Sequence, residues 1–128
     1  MYKRHEIGKI GEKLAAKYLE QNNYKIIKQN FRCKQGEIDI IAIDEQCKEQ
    51  QIVFIEVKTR TSLEFGTPAE AVNKIKKQHI ARTAKFFLYL NNIKGADIRF
   101  DTIEVLLSNN KYKINYEINK LEDLKAIL

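Results

Sequence analysis

Two stretches of this chain are apolar in a way that only the middle of a β-sheet accommodates, and both carry acidic residues. Glu37-Ile-Asp-Ile-Ile-Ala-Ile-Asp44 and Gln51-Ile-Val-Phe-Ile-Glu-Val-Lys-Thr59 are rich in β-branched residues and flanked by glycine or charged turn residues. Their apolar positions do not alternate with polar ones, so each strand must be covered on both faces. A chain with two such strands, preceded and followed by segments of helical periodicity, reads as α/β with helices packed on a central sheet.

The remaining elements follow from periodicity and punctuation. Ile7, Ile10, Leu14, Tyr18 and Leu19 recur at helical spacing, giving a first helix from about Lys3 to Gln21. Gly8 and Gly11 inside it point to close packing on the sheet, since no strand precedes them to make a phosphate-binding loop. A short strand is expected at about Tyr24 to Lys28. Thr67-Pro68-Ala-Glu70 combines a cap, a proline suited to the first helical position and a capping-box glutamate. That helix should run to about Leu90, with Val72, His79, Ile80, Thr83, Phe87 and Leu90 as its buried stripe and His79 as a packed core histidine. Ile98 to Leu107 and Tyr112 to Ile118 read as fourth and fifth strands, and Asn119 and Glu122 cap a short closing helix. The expected order is αβββαββα in a single domain over residues 1–128, with a mixed sheet and a right-handed crossover if the third and fourth strands are parallel.

Side chains alternate faces along a strand, so Glu37, Asp39, Ile41 and Ile43 share one face of the second strand. Ile52, Phe54, Glu56 and Lys58 share one face of the third. A hairpin that opposes Ile43 and Ile52 also opposes Asp39 and Glu56, and a one-residue slip would mismatch every face. Opposed side chains start roughly 5 Å apart. Two carboxylates so placed need a neutralising partner, and a divalent cation held by one or two carboxylates and water is the simplest. Lys58, roughly 6.6 Å further along the same face, would orient a nucleophile or stabilise charge on a phosphate. The competing reading is a cross-strand salt-bridge patch of Glu37, Asp39, Glu56 and Lys58. Burying those charges costs several kcal/mol each unless compensated, which weighs against a purely structural purpose.

These residues, in this order, resemble the PD-(D/E)XK nuclease superfamily, which includes restriction endonucleases and Holliday-junction resolvases. More narrowly the chain is similar to the YraN-type family of small bacterial predicted endonucleases. The resemblance runs through Gly8-Lys-Ile-Gly-Glu12, Asn30-Phe-Arg32, Gly36-Glu-Ile-Asp39, Phe54-Ile-Glu-Val-Lys-Thr-Arg60, Phe65-Gly66, Lys76 and Arg99-Phe-Asp101. Ile38 stands where the superfamily's name has proline. The resemblance implies a restriction-endonuclease-like fold, Asp39 and Glu56 as ligands of Mg²⁺ or Mn²⁺, Lys58 as the catalytic lysine and Glu12 as an additional acidic residue near the metal. It further implies hydrolysis of DNA phosphodiesters, with branched or recombination-type DNA as the preferred substrate and a homodimer as a working form. A nucleic-acid-binding module of the same fold without catalysis is the alternative.

Other features are compatible with that expectation. The formal net charge is +6, from Lys+Arg 23 against Asp+Glu 17, which suits a polyanionic partner. Lys76, Arg32 and Arg60 are the candidate phosphate contacts, and Arg99 and Asp101 share a face and can pair. No apolar run approaches a membrane span, and the N-terminus shows no signal-peptide pattern, so a cytoplasmic protein without membrane association is expected. Cys33 and Cys47 lack neighbouring ligands for zinc and read as reduced thiols.

Overall fold

The doubly apolar strands do lie at the centre. In the computed structural model, which describes residues 3–46, 48–61 and 74–118, Ile40, Ile41, Ala42, Val53, Phe54 and Ile55 are each at most 1% exposed. The described elements are α1 (Arg4–Gln21), β1 (Tyr24–Cys33), β2 (Gly36–Asp44), β3 (Gln51–Thr61), α2 (Lys74–Leu90), β4 (Ile98–Ser108) and β5 (Lys111–Glu117). They form one five-stranded sheet in the order β1-β2-β3-β4-β5. Neighbours are antiparallel except β3 and β4, which run parallel. This is the mixed, helix-flanked sheet of a restriction-endonuclease-like fold. The Thr67–Pro68 helix start and the closing helix after Asn119 lie outside the described residues.

The helices occupy opposite faces. Ala15, Ala16 and Leu19 of α1 pack with Ile40, Ala42, Val53, Ile55, Ile103 and Val105. Ile80, Ala81, Ala84 and Phe87 of α2 pack with Ile41, Phe54 and Phe100. The α1 contact is close because Gly11 lies over β3: a Cβ there would come within 1.7 Å of the Thr59 hydroxyl oxygen. Small residues, not Ile7, Ile10 and Leu14, therefore make the deepest contact, and those three are half-buried. Gly8 has no such neighbour, so the packing explanation holds for Gly11 alone.

Two expectations need correction. β1 extends to Cys33 because Phe31 and Arg32 pair with Ile38 and Glu37 of β2. A register shift between Ile26 and Lys28, and the left-handed Asn30 (φ 52°), obscure the alternation that would have revealed it. On α2, His79 is exposed rather than in the core, and Leu90 is 52% exposed. Ile80, Thr83 and Phe87 are buried as expected, and Ala81 and Ala84 complete the stripe in place of His79 and Leu90.

Arg99 ties the strands together at the end of the sheet where β3 and β4 begin. Its side chain is 6% exposed. Nε donates to Asp101, Nη1 to Asp44 at 2.9 Å and Gln51 at 3.0 Å, and Nη2 to Tyr24 at 2.7 Å, with Asp101 Oδ2 also 2.9 Å from Nη2. The Tyr116 hydroxyl donates to Asp101. Groups from β1, β2, β3, β4 and β5 thus meet around one guanidinium, whose N–H donors are fully used. The bonds to Asp101 and Asp44 hold Arg99 well above the usual guanidinium range despite its burial. Arg99→Met should lower unfolding free energy by about 3–5 kcal/mol in urea titration, because two buried carboxylates lose their cation. A loss below about 1 kcal/mol would show that the network carries no such stability.

Candidate metal centre

The β2–β3 ladder runs from Asp44↔Gln51 through Ile43↔Ile52 to Ile40↔Ile55, the register expected from the apolar pattern. There it stops, and neither Asp39 with Glu56 nor Glu37 with Lys58 forms a ladder pair. Instead, Asp39 Oδ2 accepts the Val57 backbone N–H at 2.8 Å. A carboxylate thus stands in for the main-chain carbonyl that a continued ladder would supply. Pairing lapses on the other side too, where left-handed Asn30 falls between the Gln29↔Ile40 and Phe31↔Ile38 pairs. With both ladders interrupted, strict alternation slips: Ile38 and Ile41 both pack in the cluster beneath α2. Asp39 is consequently turned into the fork where β2 and β3 part.

The fork opens into a cavity of about 370 Å³ whose lining includes Glu37, Asp39, Glu56, Val57, Lys76 and His79. Glu56 projects into it from β3, its side chain 13% exposed. Its Oε1 lies 2.5 Å from Lys76 Nζ, while its buried Oε2 has no hydrogen-bond partner among the described residues. Across the parallel ladder, Glu56 is in register with Thr102, whose buried hydroxyl is likewise unpartnered among the described residues. Two neighbouring buried polar groups therefore call for something between them, since such groups are rarely left unsatisfied.

Electrostatics sharpen that requirement. Burial pushes the Asp39 carboxyl up to about 7; the Val57 N–H opposes this, and the charges of Glu12, Glu37 and Glu56 add to it. Glu12, reaching over from α1, is also raised, by burial and then by Glu37, while hydrogen bonds with Asp39 and Asn30 lower it. The crowding of Asp39, Glu12, Glu37 and Glu56 marks a place where positive charge is favoured.

The donor set suits a hard cation with retained water. Among the described residues no three acidic, imidazole or thiol side chains converge to ligate an ion by themselves. Mg²⁺ does not require that, because it takes one or two carboxylates and completes an octahedron with waters or phosphate oxygens. Asp39 and Glu56 offer two carboxylates, and Glu56 Oε2, without a hydrogen-bond partner among the described residues, is the available oxygen.

The other candidates are distributed unevenly. Lys58 is half-buried, two residues beyond Glu56 and in register with Glu104 of β4. Lys76 reaches the cavity through its ion pair with Glu56. Arg32 pairs with Glu37 at 3.3 Å on the exposed rim. Arg60 pairs with Glu104 at 3.3 Å and does not line the cavity. Thr102 was missing from the sequence reading, because its place beside Glu56 depends on a parallel register that no local pattern encodes.

Because the folded state holds a proton on Asp39 that the unfolded chain releases near pH 4, stability should fall as pH rises from about 4 to 7 and then level off. Asp39→Asn cannot ionise and still offers an oxygen to the Val57 N–H. In urea titrations with chelator present, it should match the wild type near pH 4 and exceed it by roughly 2–4 kcal/mol at pH 8. Equal stability at both pH values would contradict a buried, charge-crowded Asp39.

The model of an uncharacterised protein family, UPF0102, matches residues 11–105, a span that holds Glu12, Asp39, Glu56, Lys58, Lys76 and Arg99. The chain is 47% identical over 116 residues to a UPF0102 protein of Caldanaerobacter subterraneus subsp. tengcongensis, covering 88% of this chain and 92% of that one. It is 50% identical over 116 residues to a UPF0102 protein of Alkaliphilus oremlandii, covering 89% and 96%. A UPF0102 protein of Clostridium perfringens is 45% identical over 112 residues, covering 86% and 88%. The chain belongs to the uncharacterised protein family UPF0102.

Proposed function

We propose that this protein is a divalent-metal-dependent DNA endonuclease, with Asp39 and Glu56 holding Mg²⁺ or Mn²⁺ and Lys58 acting beside them. The observation that carries the reading is the unpartnered, buried Oε2 of Glu56 in the same cavity as a carboxyl pushed up to about 7. A metal ion bound there would polarise a phosphoryl oxygen and acidify a water. The Asp39 carboxylate, anchored by the Val57 N–H, has a fixed orientation that needs no rearrangement on binding. Lys58, two residues beyond Glu56 on β3, would supply a cation for the attacking water or for charge developing on the phosphate. Glu12 adds negative charge beside Asp39 and favours a cation there.

The surface around the fork suits a polyanion. Arg32 lies on the exposed rim at Glu37. A second groove beside α1 is lined by Lys9, Lys13 and Lys17 together with Glu12 and Glu20. A nucleic-acid backbone following it would release counterions and bind in a salt-dependent manner. Branched or recombination-type DNA is the preferred substrate in this proposal. A second reading, a binding module without catalysis, draws on the absence of three converging ligand side chains among the described residues.

Incubation with linear, nicked, flap and four-way-junction DNA and Mg²⁺ or Mn²⁺ tests the proposal. Cleavage should need the metal and fall by about a hundredfold or more in each of Asp39→Ala, Glu56→Ala and Lys58→Ala. Cleavage unaffected by chelator, or undiminished in all three variants, would remove the mechanism. DNA binding that is equally tight with chelator and never produces a nick would favour the binding module.

A further inference from the structure

Glu56 holds its ion pair with a residue from outside the sheet. Lys76 lies in the first turns of α2, its side chain 52% exposed, and its ammonium reaches Glu56 Oε1 at 2.5 Å. The two partners differ in what they can do about separation. Glu56 is fixed on a central strand with a side chain only 13% exposed, so an uncompensated charge there would cost several kcal/mol. Lys76 is half in water on a flexible four-carbon stem and can return its charge to solvent at little cost. The pair is thus held by the carboxylate's need, while the cation is replaceable.

At Glu56 the compensating positive charge is the Lys76 ammonium on Oε1, while the buried Oε2 has no hydrogen-bond partner among the described residues. We propose that Lys76 is a resident counter-cation: it pairs with and orients the Glu56 carboxylate in the metal-free protein and competes with the divalent ion for that carboxylate. The inference rests on reading Asp39 and Glu56 as the metal site. It assigns Lys76 a positioning role that a phosphate contact alone does not require. An ammonium a few ångströms from a divalent cation repels it, so the sign of the effect is fixed: Lys76 must weaken metal binding even as it preserves the site.

Calorimetric titration of Mn²⁺ into the full chain, without DNA, tests this directly. Lys76→Met keeps the stem and removes the charge, and at this exposed position it should fold normally. It is expected to bind Mn²⁺ about tenfold tighter than the wild type, a figure moderated by the half-exposure of the ammonium. Lys76→Arg, which keeps the charge, should restore the weaker affinity. If the wild type binds Mn²⁺ and Lys76→Met binds it equally or more weakly, the counter-cation is overturned and the metal site stands. If neither protein binds Mn²⁺, both the counter-cation and the metal site are overturned.

Discussion

Carboxylates buried inside a sheet must be neutralised, and the manner of neutralisation separates the two ends of this molecule. Where β3 and β4 begin, Asp44 and Asp101 are compensated by Arg99, a cation that cannot be deprotonated and whose N–H groups are all committed. At the fork between β2 and β3, burial and neighbouring carboxylates push Asp39 up to about 7, and Glu56 is met by the half-exposed Lys76 ammonium. The first arrangement is permanent and holds β1 to β5 in register. The second is exchangeable, which is what a site for a transient cation requires.

The fork arises from the backbone. β2 and β3 are well paired through Ile40 and Ile55, both fully buried, so their divergence is not a fraying end. It begins where Asn30 adopts a left-handed conformation and Asp39 takes the Val57 N–H with its side chain. One extra residue near Ile27 and one left-handed asparagine on β1 therefore help to set the direction in which an acidic side chain two strands from β4 points. The rigid cores on either side keep the opening from closing: Gly11 brings α1 hard against Thr59, and Ile80 and Phe87 seat α2 beneath Phe54 and Phe100.

Much of this was legible in the amino-acid sequence because burial on both faces leaves an unmistakable pattern. The β-branched runs around Asp39 and Glu56 identified central strands, and matching Ile43 to Ile52 gave the register. Pairing of Arg99 with Asp101 followed from their spacing on one strand. What escaped was everything that depends on a departure from regularity or on a distant partner. Alternation placed Asp39 on the same face as Ile41, but the interrupted ladders let Ile38 take that face. Helical projection put His79 in the core beside Ile80, but the small Ala81 and Ala84 complete the buried face and His79 is left exposed. The convergence of Tyr24, Asp44, Gln51 and Tyr116 on Arg99 needed the strand order, and Thr102 beside Glu56 needed the parallel register of β4.

An anomalous difference map from crystals grown with Mn²⁺ addresses the central claim at the level of atoms. The account predicts a single strong peak in the fork, within coordinating distance of one oxygen from Asp39 and of Glu56 Oε2, with Lys76 Nζ withdrawn from the carboxylate. A well-ordered, fully accessible fork with no peak at high Mn²⁺ concentration, or a peak that leaves Glu56 Oε2 without a ligand, would contradict it.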